Sequence, residues 1–228
     1  MKKALSLFLA MGMACSLAAC GSSSGGTTAE GTATDTDQGS GSDKVWVIAS
    51  DTVFKPFEYT DAEGNFVGID VDLVKAIAED QGFQYEINPL GWDAAVAACQ
   101  SGQADGMIAG ASITDERIES GWMFSDGYYQ TTQTMTVAAD SDITGFEDLS
   151  GKTVAVKTGT QGAAYAESLK DQYGFDLTYF EDSPTMYQAV LGGQTVACFE
   201  DTPVMAGSIK DGDLARKIPG GTAKEGQP

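Results

Sequence analysis

The side chains of this chain best suited to chemistry are Asp51, Arg117 in the run ITDER, Lys157, and the adjacent carboxylates Glu200 and Asp201. All but Arg117 stand at the carboxyl end of a short β-forming run. Asp51 follows VWVIAS, Gly110 to Ser112 follow MIA, Lys157 to Gln161 follow TVAV, and Glu200 and Asp201 follow TVACF. Open α/β sheets bind ligands at that end of their strands. Two of these sets come from each half of the chain, which predicts a cleft between two lobes. The chemistry on offer is complementary to a free amino acid. A zwitterion's carboxylate needs a forked cation and peptide N–H donors, and its ammonium needs a carboxylate with neutral acceptors.

Arg117 falls just inside an expected helix start capped by Thr114, where a cation meets the unfavourable end of the helix dipole. An anion should offset it, either a ligand or a surface partner such as Asp115. The segment KTGTQG is a turn of small residues between strand and helix, and such turns leave backbone N–H groups free to receive an anion. Phe54 and Trp92 supply either apolar walls for a ligand side chain or ordinary core. The chain has no histidine, which excludes histidine-based catalysis and metal sites, and no cysteine cluster replaces it. The expectation is a binding protein that needs no cofactor and no metal.

These residues need elements to hold them. Strands are expected at Val45 to Ala49, Gly106 to Ala109, Thr153 to Val156 and Thr195 to Phe199, alternating with helical stretches. The pattern predicts an α/β fold with largely parallel sheets. Asp70 reads as the cap of a helix whose Leu73, Val74, Ile77 and Ala78 form one apolar stripe, with Gly82 as its stop. A second helix carries Tyr165, Leu169 and Tyr173 and stops at Gly174. A third opens with Ser183 as cap and Pro184 at its first position and closes at Gly192. The run YYQTTQTMT, Tyr128 to Thr136, lacks helical periodicity and reads as an extended crossover. The first lobe is expected over residues 44–130, and hinge and second lobe over 131–228.

Lys2 and Lys3, an apolar run and Leu17-Ala18-Ala19-Cys20 read as a secretory signal over residues 1–19. The tetrapeptide resembles the lipobox of bacterial lipoproteins, which implies cleavage before Cys20 and a membrane anchor through lipid on that thiol. Residues 20–43 contain no large apolar side chain and are expected to be a flexible tether. Loss of Lys2 and Lys3 takes the formal charge from −20 to −22, a surface that disfavours nucleic acid and anionic lipid. Cys99 and Cys198 lie in apolar contexts in different halves, which favours two buried thiols over a disulfide.

The motifs ASDTVFKPFEY, GNFVGIDVDLVKAIA, IAGASITDER, FSDGYY, GKTVAVKTGT and ACFEDTP occur in this order from Val45 to about Ile209. Together they resemble the periplasmic-type solute-binding proteins for polar amino acids, most nearly the glutamine-binding members. The resemblance implies a two-lobed fold joined by extended hinge strands and a monomer that delivers its ligand to the permease of an ABC transporter. It also implies that Arg117 clamps the ligand carboxylate with the Ser112 amide and the backbone at Gln161. Asp201 then takes the ammonium with the Gly110 carbonyl and the Ser112 hydroxyl, Phe54 and Trp92 sandwich the side chain, and Asp51 and Lys157 read its tip. An amide tip has a donor for Asp51 and an acceptor for Lys157, which favours glutamine; the alternative is that the two pair with each other and only frame the pocket. Glu200 departs from the glutamine pattern, which has histidine there, and adds a carboxylate near the ammonium. The family pattern also continues past residue 228, with a return strand and closing helices. Other readings on the same scaffold are an enzyme similar to cyclohexadienyl dehydratase, with Glu200 as general acid, and a receptor's sensing domain.

Overall fold

The computed structural model describes Lys44–Lys210 together with two short strands, Arg216–Lys217 and Ala223–Lys224. The signal, Cys20 and the tether lie outside the described residues. No helix among the described residues is long and apolar enough to cross a membrane.

The first lobe is built on a three-stranded parallel sheet. Its central strand β1 (Val45–Ser50) lies between β5 (Gln84–Pro89) and β6 (Gly106–Met107). A small antiparallel sheet of β2 (Val53–Phe54), β3 (Glu58–Thr60) and β4 (Phe66–Val67) stands beside it. Helices α1 (Ile69–Gln81) and α2 (Trp92–Gln100) are the crossovers, and parallel neighbours require such crossovers. Ala95 and Ala98 of α2 and Ala104 of the following turn pack with Ala49 of β1 in one buried cluster.

The second lobe carries the larger sheet. The order is β11 (Arg216–Lys217), β7 (Gln133–Ala138), β10 (Ala197–Asp201), β8 (Thr153–Lys157), β9 (Asp176–Phe180), with β12 (Ala223–Lys224) also on β7. The strand pairs β8–β9 and β8–β10 are parallel, while β7 runs antiparallel to β10, β11 and β12. Part of the chain after residue 210 therefore returns along the hinge strand. Alternation along β10 sends Ala197 and Phe199 to one face and Cys198 to the other. Phe199 centres the core under α4 (Gln161–Tyr173), with rings of Phe146, Tyr165 and Phe175 at 5.5 to 6.4 Å. Cys198 joins Met186, Tyr187 and Val190 of α5 (Ser183–Leu191) and Met205 of α6 (Thr202–Lys210). Cys99 is half-buried, in the other lobe, so both cysteines are thiols in separate cores.

Local structure departs from the sequence reading at two caps. Asp70 does not cap α1: Gly68 holds that place at φ 137°, where a Cβ would stand 2.1 Å from the Phe57 carbonyl oxygen. Ser183 does not cap α5 either, because Asp182 accepts the Thr185 N–H at 2.7 Å. In both cases the displaced side chain turns inward and finds a buried partner. Of the expected α1 stripe, Val74 and Ala78 are buried, while Ile77 is 45% exposed and lines a broad groove with Leu73, Phe83 and Val96. The stops at Gly82 and Gly174 stand as read, both left-handed. Strands β5 and β9 were not legible from composition, since each is buried on less than one full face.

Candidate functional site

The strand ends converge on one place. Asp51 follows β1, Gly110 and Ser112 follow β6, Lys157 ends β8, and Glu200 and Asp201 end β10. Trp92 opens α2, Phe54 ends β2, Gln161 opens α4, and Arg117 lies on the short helix α3 (Asp115–Glu119). All ten residues singled out from the sequence line a single cavity of about 20 Å³, joined by Ala109 and Thr160.

Arg117 is placed by its cap: Thr114 Oγ1 accepts the Arg117 N–H at 3.2 Å. Its guanidinium does not pair with Asp115. Nη1 donates to the Ser112 carbonyl at 2.8 Å, and Nη2 crosses to the other lobe and donates to the Gly159 carbonyl at 3.1 Å. The group lies 5.1 Å from the ring centres of both Trp92 and Trp122, within cation–π range of each. Burial holds its pKa below the ordinary arginine value, against the charges of Asp201 and Glu116. Trp122 was missed because an aromatic after a loop carries no local signal of what it faces.

The turn after β8 matches the sequence reading. Thr160 Oγ1 accepts the Ala163 N–H at 3.3 Å and donates to the Lys157 carbonyl at 2.8 Å, which caps α4 toward the cleft. The positive end of the α4 dipole therefore faces the cavity. Gly159, at φ 69°, lies so near Trp92 that a Cβ would stand 3.1 Å from Nε1.

Lys157 and Asp51 form a buried ion pair across the cleft, the alternative arrangement that the sequence left open. Glu200 lies behind Lys157 and lowers the cost of burying that ammonium. Its carboxylate lines the cavity and is held there by its neighbours. Oε2 accepts from Ser183 Oγ at 2.9 Å and Tyr187 Oη at 3.0 Å, and Oε1 accepts the Asp201 N–H at 3.1 Å. Burial pushes its pKa up, while Lys157 and these donors pull it down. The displaced cap Ser183 thus serves the site.

Asp201 points the other way along the pleat. Oδ1 accepts from Gln133 Nε2 at 2.5 Å and Thr131 Oγ1 at 3.0 Å, two residues of the hinge segment that sequence reasoning did not single out. Burial, then the Glu200 charge, raise the Asp201 carboxyl to about 7, while Thr131, Gln133 and Arg117 oppose the rise. Phe54 is 7% exposed beside the Lys157 ammonium, and Gly110, at φ 54°, leaves room for it: a Cβ there would stand 2.7 Å from the ring. Among the described residues no cluster of ligating side chains could hold a metal.

The chain is similar to known proteins over most of its length. The family model for bacterial extracellular solute-binding proteins, family 3, matches residues 46–222. The chain belongs to that family. It is 31% identical over 213 residues to the arginine-binding extracellular protein ArtP of Bacillus subtilis, covering 93% of this chain and 78% of that protein. An ancestral arginine-binding protein bound to glutamine is 31% identical, with a TM-score of 0.72 over 80% of this chain and 81% of that one. The second substrate-binding domain of Lactococcus lactis GlnP in its open conformation is 38% identical, yet its TM-score is 0.53 over 80% of this chain and 79% of that one. The more distant sequence is the nearer shape. Membership makes this chain a solute-binding protein with a periplasmic-binding-protein-like α/β fold, and not an enzyme.

Proposed function

We propose that the protein captures a free polar amino acid outside the cell, glutamine first, and delivers it to an ABC importer by hinge closure. The observation that carries this reading is the Arg117 guanidinium from one lobe and the Asp201 carboxylate from the other lining one cavity. Arg117, the Ser112 amide and the backbone at Gln161 take the ligand carboxylate. Asp201, the Gly110 carbonyl and the Ser112 hydroxyl take its ammonium, and Phe54 and Trp92 hold its side chain.

Glutamine is favoured by the Asp51–Lys157 pair. An amide brings one donor and one acceptor, so it can enter between a carboxylate and an ammonium and leave neither unmatched. A ligand cation would meet Lys157, and a ligand carboxylate would meet Asp51, each costly where water is excluded. A second reading, a cationic amino acid such as arginine, is favoured by three lining carboxylates against two cations. Contacts from both lobes coexist only when the cleft is closed, so the ligand shifts the population toward that form, which the permease recognises. The protein acts as a monomer held to the membrane by lipid on Cys20.

Calorimetric titration of the individual amino acids tests the assignment. Glutamine is expected to bind most tightly; tighter arginine binding would reject it in favour of the second reading. Replacement of Cys20 by alanine is expected to release the protein into the medium.

A further inference from the structure

Behind the Gly110 loop lies a pair of carboxyls that the binding chemistry does not use. Glu58 on β3 and Asp70 in the first turn of α1 are both 0% exposed. The two carboxyls lie within hydrogen-bonding reach of each other. Neither oxygen of Glu58, nor Asp70 Oδ1, receives an N–H or O–H from another group. Three buried acceptors without a donor are costly, and two facing carboxylates would add repulsion. One proton between them removes the repulsion and pairs two of the three atoms, Asp70 Oδ1 and one oxygen of Glu58.

The surroundings decide which partner carries it. Asp70 Oδ2 accepts the Gly110 N–H at 2.9 Å, and Asp70 stands in the first turn of a 13-residue helix, where the dipole favours an anion. Glu58 has no such donors. The groups facing it are Asp70 from α1 and Asp51 after β1, both of which disfavour its charge, and Lys157 from the second lobe, which favours it. Burial dominates and pushes the Glu58 carboxyl up to about 11. The Tyr128 phenol, on the crossover, borders Asp70 and the Gly110 peptide.

We propose that Glu58 and Asp70 are positioning residues: a protonated Glu58 donates to Asp70 Oδ1, and Asp70 in turn fixes the Gly110 peptide whose carbonyl faces the ligand ammonium. The chain Glu58–Asp70–Gly110 joins β3, α1 and the loop after β6, and so sets the ammonium subsite from behind. Close packing enforces it, since Gly68 beside the Phe57 carbonyl brings β3 and α1 together. The last link rests on the amino-acid reading above, while the carboxyl pair itself does not.

The test uses the full chain with two substitutions, Glu58→Gln, whose amide still donates to Asp70, and Glu58→Leu, which cannot. The ligand-free protein at about pH 9, above the Asp201 transition and below that of Glu58, is expected to show the infrared carbonyl band of a protonated carboxylic acid, and Glu58→Gln is expected to lose that component. The Gly110 amide, read by NMR without ligand, is expected to keep its chemical shift and exchange protection in Glu58→Gln and lose both in Glu58→Leu. Glutamine affinity is expected to stay within about threefold in Glu58→Gln and to fall about tenfold or more in Glu58→Leu, the size of one buried hydrogen bond lost. Absence of the band, or an unchanged Gly110 amide in a folded Glu58→Leu, overturns the pair. Should Glu58→Leu fail to fold, the band and its loss in Glu58→Gln still decide. If those signals appear and glutamine does not bind, the ligand assignment fails while the carboxyl pair stands.

Discussion

Lowering the pH should disarm this site through Asp201. Its carboxyl is raised to about 7 by burial and the neighbouring Glu200 charge, so near neutrality the ligand-free protein carries a mixture of acid and carboxylate there. Only the carboxylate can pair with a ligand ammonium, and pairing holds it ionised. Affinity therefore rises with pH up to about 7 and levels off above it. At pH 5 about 1% of Asp201 is ionised, so Kd should be about 100-fold weaker than at pH 8, roughly 2.7 kcal/mol. Linkage also requires proton release on binding, about 0.9 proton per glutamine at pH 6. Calorimetry in two buffers of different ionisation heat reads both quantities. A Kd constant within about threefold from pH 5 to 8, or heats independent of buffer, would refute the reasoning.

The same shift acts on folding with the opposite sign. Because the folded pKa of Asp201 lies above its ordinary value of 3.8, the native state binds more protons than the unfolded chain between those values, and this group's contribution to stability falls as pH rises from about 4 to about 7. Glu58 and Glu200 shift in the same direction. Urea denaturation without ligand should show a lower midpoint at pH 7 than at pH 5; the reverse order would contradict the burial of these carboxyls. Arg117→Ala should weaken glutamine binding by about 2–5 kcal/mol in calorimetry, because the ligand carboxylate is left buried without its partner; near-normal affinity would mean the clamp lies elsewhere. Lys157→Met, which leaves Asp51 and Glu200 without their cation, should move preference from glutamine toward arginine in a competition titration. Phe199→Ala should cost about 3–5 kcal/mol in chemical denaturation, since the ring fills the centre of the second-lobe core.

The positions of the proposed binding residues were legible because they depend on neighbours a few residues away. A β-forming run followed by KTGTQG is a strand, a turn and a capped helix start, and Thr114 three residues before Arg117 is a cap of the same kind. Such features rest on hydrogen bonds spanning three or four residues, so the sequence states them directly. Even the gathering of ten residues at one cavity follows from strand ends plus two lobes.

The partners of those residues were not legible, because they depend on sheet order and on which faces meet. Asp70 and Ser183 have the composition and spacing of caps, yet neighbouring residues take the caps, and both side chains instead serve groups 40 and 17 positions away. Glu200 and Asp201 are adjacent in sequence but turn to opposite faces of β10, one to Ser183 and Tyr187, the other to Gln133 and Thr131. Composition and spacing determined which charges this protein brings to its cleft. Only the packing of β3 on α1, and of β7 and α5 on β10, decided which of those charges are held, by what donors and in which protonation state, because burial and long-range contact set those terms and neither is a property of a local stretch of chain.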